Sequence, residues 1–147
     1  MTSHIRFLRW YAALAIVIAS LVSCGDDEPT LPTVPSRPTV TDTFSGSIGM
    51  NGANSHTFLA GATGTITATL AAVGPDAVGA DGTPLVVGFG VGTWNGSLCN
   101  VVLAQDRAIQ SSVIFGNVNA SGDLCVRVYD VGNLIDSIDY TVTVVHP

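Results

Sequence analysis

The chain has 147 residues, a formal net charge of −6 and no lysine. Beyond residue 23 only Arg37, Arg107 and Arg127 face all eleven acidic residues, a net of −8. Such a field repels phosphate backbones and anionic headgroups, which argues against nucleic acid and against charge-driven membrane adhesion, and 124 residues after the leader suffice for one ordinary domain.

The first element is a leader. Arg6 and Arg9 precede an apolar run from Trp10 to Val22, which ends in Leu21-Val22-Ser23-Cys24 followed by Gly25-Asp26-Asp27-Glu28. At about 1.5 Å per residue a helix over that run reaches roughly 20 Å, short of the ~30 Å hydrocarbon core, so a secretory signal fits better than a membrane span. The end of the leader resembles the lipobox of bacterial lipoproteins. The resemblance implies a signal peptide over 1–23, cleavage before Cys24, lipid on Cys24 as a membrane anchor, and a place in the cell envelope. Gly25 rather than Asp after the cysteine favours the outer membrane, if the cell has one. A plain cleaved signal and an uncleaved anchor are the alternatives.

Residues 24–41 read as a lipidated, disordered Pro/Thr-rich tether. Pro29, Pro32, Pro35 and Pro38 remove donors and fix φ, so neither ladder nor helix forms, and a semi-rigid spacer results.

From residue 42 to 147 the period changes to two. Strands are expected near Thr43–Ile48, Ser55–Leu59, Thr65–Leu70, Leu85–Val91, Asn100–Ala104, Ser112–Val118, Leu124–Tyr129 and Ile138–Val144. Leu124, Val126 and Val128 read as one inner face, and Ile138, Tyr140, Val142 and Val144 as another. Asn51-Gly52, Gly74-Pro75-Asp76, Asp81-Gly82, Asn95-Gly96, Ser121-Gly122-Asp123 and Gly132-Asn133 supply the reversals. About eight short strands without helical period give an all-β sandwich or barrel. Gly88, Gly90 and Gly92 mark either a bent strand or a place where another chain comes close, the bend being preferred.

Within this domain His56-Thr57-Phe58, Gly64-Thr65-Ile66-Thr67-Ala68-Thr69-Leu70, Gly122-Asp123-Leu124-Cys125-Val126-Arg127-Val128-Tyr129-Asp130 and Tyr140-Thr141-Val142-Thr143-Val144 resemble the bacterial pre-peptidase C-terminal domain family, with Leu124 where that family often carries an aromatic. The resemblance implies a jelly-roll-like single β-sandwich, usually a non-catalytic module of a secreted enzyme.

Three cysteines give a short arithmetic. With Cys24 lipidated, Cys99 and Cys125 remain as one disulfide candidate, the alternative being two separate thiols. Cys125 falls on the outer face with Arg127, so Cys99 must approach from a loop or a neighbouring strand. Closing that loop contributes roughly 3.5 kcal/mol in the chain-entropy treatment.

No catalytic residue is assigned. His56 lies in an alternating strand and His146 near a terminus that is expected to be loose; neither stands in a nucleophile motif, and no metal site is assigned. Calcium is a weak candidate at Asp130, Asn133 and Asp136, with Asp139 pointing outward and Asp76 and Asp81 in another loop, because oxygen-rich turns suit it although the spacing does not; turn formation explains Asp130 and Asn133 equally. No other cofactor is expected. Trp94, expected in a loop near Cys99, either stacks on a ligand or covers the end of the core. Asn95-Gly96-Ser97 and Asn119-Ala120-Ser121 match glycosylation sequons and read as turns. The expectation is therefore a non-enzymatic, envelope-anchored lipoprotein that binds an envelope protein or a polysaccharide. The alternatives are a structural envelope lipoprotein and an accessory to a secreted hydrolase.

Overall fold

A computed structural model describes residues 38–74 and 82–147. The leader, Cys24, the tether up to residue 37, Asp76 and Asp81 lie outside the described residues. Eight strands follow in chain order: β1 (Val40–Ile48), β2 (Ala53–Ala60), β3 (Gly64–Val73), β4 (Val87–Trp94), β5 (Cys99–Ala108), β6 (Val113–Val118), β7 (Gly122–Tyr129) and β8 (Ile138–His146). Each overlaps one expected strand, because alternation of apolar and polar side chains decides which face is buried. In β8, Tyr140, Val142 and Val144 are buried while Asp139 is exposed and Thr141 and Thr143 are half-buried. β1 begins two residues before the expected boundary. Val40 and Thr41, assigned to the tether beside Pro38, pair with His146 and Val145 instead.

The strands form two four-stranded antiparallel sheets in the orders β1-β8-β3-β6 and β2-β7-β4-β5. Only β4 and β5 are joined as a hairpin within one sheet; every other pair of consecutive strands changes sheet. That is jelly-roll topology, in which the core lies between two inner faces. Ile66, Leu70, Val142 and Val144 from one sheet meet Phe58, Phe89, Val126 and Val128 from the other.

The reversals use the expected chemistry. Asn51, Gly96 and Gly132 adopt φ of 54°, 97° and 92°, the left-handed region that Gly and Asn enter at low cost. Asp130 ties two loops together. Its Oδ2 accepts from the Asn51 N–H at 2.8 Å, and its Oδ1 accepts from the N–H groups of Gly132, Asn133 and Leu134.

Candidate functional site

The β4–β5 hairpin positions the first candidate. Cys99 and Cys125 are bonded, with a Cα separation of 5.8 Å. Cys99 opens β5 and Cys125 lies in β7, with β4 between them. Strands two apart in a flat sheet stand roughly 9.5 Å from each other, so the start of β5 has left the sheet plane and folded across β4. Gly92, opposite Cys125, permits this. A Cβ there would overlap the Asn100 carbonyl oxygen and stand 2.7 Å from the Val101 Cα. Ladder shifts between Val87 and Phe89 and between Val91 and Gly92 bend the same strand. The bend expected at the glycine series is present, and the segments that come close to it belong to the same chain. Gly90 receives the Val101 side chain, 2.6 Å from where a Cβ would stand, and Gly88 lies under the Tyr129 ring.

Trp94 is the last residue of β4 rather than a loop residue. It sits opposite Cys99 and is half-buried, beside the buried disulfide. Asn95 closes the turn by accepting on Oδ1 from the N–H groups of Ser97, at 3.1 Å, and Leu98, at 2.8 Å. That sequon is a turn in the fold, and Asn119 follows β6 in a bend.

Next to this hairpin lies an exposed apolar edge. β5 and β6 are the edge strands of their sheets on the same side of the sandwich. Among the described residues, Leu98, Val101, Val102, Leu103, Ile109 and Phe115 are all exposed, and Val102 and Phe115 reach 71% and 69%. Between the two edges opens a cleft of about 290 Å³, walled by Ile66, Val91, Leu103, Val118 and Leu124. Val102 is the unpaired residue where the β4–β5 ladder shifts, and it is exposed at the border of the same cleft. The β5–β6 turn is held rigidly. Ser111, at φ 69°, donates its N–H to the Leu70 carbonyl, and Leu70 donates to the Ser112 carbonyl.

The histidines lie at the opposite side. His56 faces inward from β2, stacks on Phe44 with ring centroids 5.1 Å apart, and has Nε2 2.8 Å from the Tyr140 hydroxyl. Burial pushes the Tyr140 hydroxyl up to about 12, and Asn54 donates to its oxygen, which leaves the O–H free to donate to His56 in the tautomer whose Nε2 is unprotonated. Burial lowers the His56 value from its ordinary 6.5, which agrees with this arrangement. His146 was expected to be loose; it is 3% exposed at the end of β8, with Nε2 3.0 Å from Asp42 and its ring 4.9 Å from Phe58. The register that pairs β1 with β8 secures it, a pairing across about the whole domain that local alternation does not reveal. Both described histidines are thus engaged in packing, with no serine, threonine or cysteine nucleophile bonded to either among the described residues.

Asp130, Asn133 and Asp136 lie in the segment between β7 and β8. Both Asp130 oxygens are taken up by backbone N–H groups, which hold its carboxyl below the usual carboxylate range, while Asn133 and Asp136 are exposed. Four donors aimed at one carboxylate make this a turn built around an anion, the reverse of what a cation needs. Among the described residues no three His, Cys, Asp or Glu side chains gather in one place.

Two features escaped the sequence reading. The apolar edge was hidden because Val101-Val102-Leu103-Ala104 lacks alternation and reads like any buried strand. The outer face of the sheet β2-β7-β4-β5, where Arg127 and Tyr129 stand beside the glycine series, was read only as alternation. The chain matches no family model and no curated protein.

Proposed function

We propose that this protein is a non-enzymatic binding module of the cell envelope, held to the membrane through lipid on Cys24, and that its recognition surface is the β5–β6 edge with the cleft beside it. The observation that carries the reading is the concentration of exposed apolar side chains from Leu98 to Phe115, on two adjoining edge strands and the turns that flank β5. An edge strand with unpaired backbone groups and apolar side chains is a template for association, and soluble proteins normally blunt it with lysine, proline or charge. Asp106 and Arg107 guard only the far end of β5, and the run from Leu98 to Gln105 carries no charge. An envelope protein offering an extended, apolar segment suits this surface better than a polysaccharide does. The same surface serves a structural envelope lipoprotein equally well. The engagement of both histidines in packing speaks against catalysis.

The experiment compares the full-length protein with a Val102→Asp, Phe115→Asp double variant in capture of envelope proteins from a detergent extract. Both side chains are exposed, so the variant is expected to melt with the parent and to lose its specific partner. An unchanged set of captured proteins would move recognition away from this edge. For the anchor, Cys24→Ser is expected to abolish incorporation of labelled fatty acid and release the protein from membranes; a variant that stays labelled and bound would contradict the lipid on Cys24.

A further inference from the structure

The outer face of the sheet β2-β7-β4-β5 carries a second, differently built site. A depression of about 330 Å³ lies there, walled by Asn51, Gly52, Ala53, Val101, Arg127 and Tyr129, with Asp130 at its rim. Beneath it β4 presents Gly90 and Gly88 outward between β7 and β5, and the Val101 side chain and the Tyr129 ring lie over them. The Tyr129 ring lies over Gly88, and its O–H donates to Asp106 of β5, so the ring bridges β4 and is fixed in place. One side of the ring rests on the glycine backbone, and the half-buried ring borders the depression. That is a rigid aromatic platform of low conformational entropy.

Arg127 stands two residues away on the same face of β7, opposite Gly90 and Ser55. It is half-buried, yet among the described residues the only ion pair is His146 with Asp42, and no hydrogen bond engages the guanidinium. This is unusual in a chain where acids far outnumber bases. Asp130, the acid nearest the depression, has both oxygens occupied by four backbone N–H groups that also offset its charge. Asp106 is engaged by Tyr129. Among the described residues no acceptor takes up the N–H donors of Arg127, whose charge acts on the neighbouring Tyr129 hydroxyl, and a guanidinium fork matches a carboxylate in two parallel bonds.

We infer that this depression binds a sugar unit bearing a carboxylate, a hexuronate, with the ring resting on Tyr129 and the carboxylate held by Arg127. An apolar sugar face matches an aromatic plane, and the carboxylate is the group that the unpaired fork selects. The net negative charge of the protein works against any anionic ligand, so the affinity must come locally from the Arg127 fork and the Tyr129 ring. The site borders the β5–β6 edge at Val101 but rests on Arg127 and Tyr129 of β7, so substitutions at Arg127 test it apart from that edge.

The test is calorimetric titration of the full-length protein with tri-galacturonate, its methyl ester, sodium acetate and inorganic phosphate, repeated on Arg127→Gln and Arg127→Lys. Tri-galacturonate is expected to bind, the ester and Arg127→Gln to weaken binding about tenfold or more, and Arg127→Lys to recover only part of it, because an ammonium lacks the fork. Acetate and phosphate are expected to bind far more weakly than the oligosaccharide. Binding that is equal for acid and ester, unchanged in Arg127→Gln, or matched by acetate or phosphate would overturn the assignment, as would no binding at all by a parent protein that melts cooperatively. Thermal melting of both variants separates a lost site from a lost fold.

Discussion

Gly92 shows how one missing Cβ permits a whole local arrangement. A side chain there would occupy the space of the Asn100 carbonyl, so β5 would have to lift off β4 and pull against the Cys99–Cys125 bond. Gly92→Ala is therefore expected to cost about 3 kcal/mol in urea denaturation. Gly122→Ala, where nothing lies within 4 Å, should stay within about 0.5 kcal/mol of the parent. Equal effects at the two positions would refute the close-approach account. His56 sets a second residue-scale expectation. The folded protein resists protonating it, whereas the unfolded chain takes the proton near the ordinary 6.5. The unfolded state then binds more protons below that value, so this contribution is whole above it and declines as pH falls from about 6.5. Asp130 adds a lower window: its carboxyl titrates below the ordinary 3.8, so its share of stability is present above that value and lost as pH falls further. Urea midpoints measured from about pH 7.5 down to about pH 5 should fall for the parent and stay flatter for His56→Gln, which keeps an acceptor for Tyr140. Parallel curves would show that His56 does not titrate within this fold.

At the scale of elements, the Asn100 backbone, the Val101 side chain and the Tyr129 ring lie over Gly92, Gly90 and Gly88 in turn, and the Cys99–Cys125 bond spans from β5 to β7 beside them. These ties fasten β5, an edge strand with one ladder partner, to β7 beyond it. Removing the disulfide by replacing Cys99 and Cys125 with Ala is expected to lower stability by roughly 3.5 kcal/mol. Hydrogen exchange should rise first in the amides of β5, leaving β3 and β8 at the centre of the other sheet protected. Uniform loss of protection would mean that β5 is not held separately by these ties. The pairing itself was legible from cysteine count once Cys24 was set aside for lipid. Its path over β4 was not, because nothing in the local pattern says that a strand will stand between the two cysteines.

The whole molecule was legible as a β-sandwich because period-two alternation is imposed by burial on one face, and each of the eight expected strands has its counterpart. The division of strands between sheets was less so. It depends on pairings such as Val40 with His146, which chain-local patterns do not encode. The same gap explains His146, taken for a loose end until β1 closed over it, and the β5–β6 edge, which appears only once both strands prove to be outermost on one side. Solvent exposure of an apolar strand is a property of the assembled sandwich and of no single segment. The proposed function rests on that property, so its most direct test is a footprint. Hydrogen–deuterium exchange of the full-length protein, with and without an envelope membrane fraction, should show new protection concentrated in residues 98–118. Protection that appears elsewhere on the sandwich, or nowhere, would contradict recognition through the β5–β6 edge.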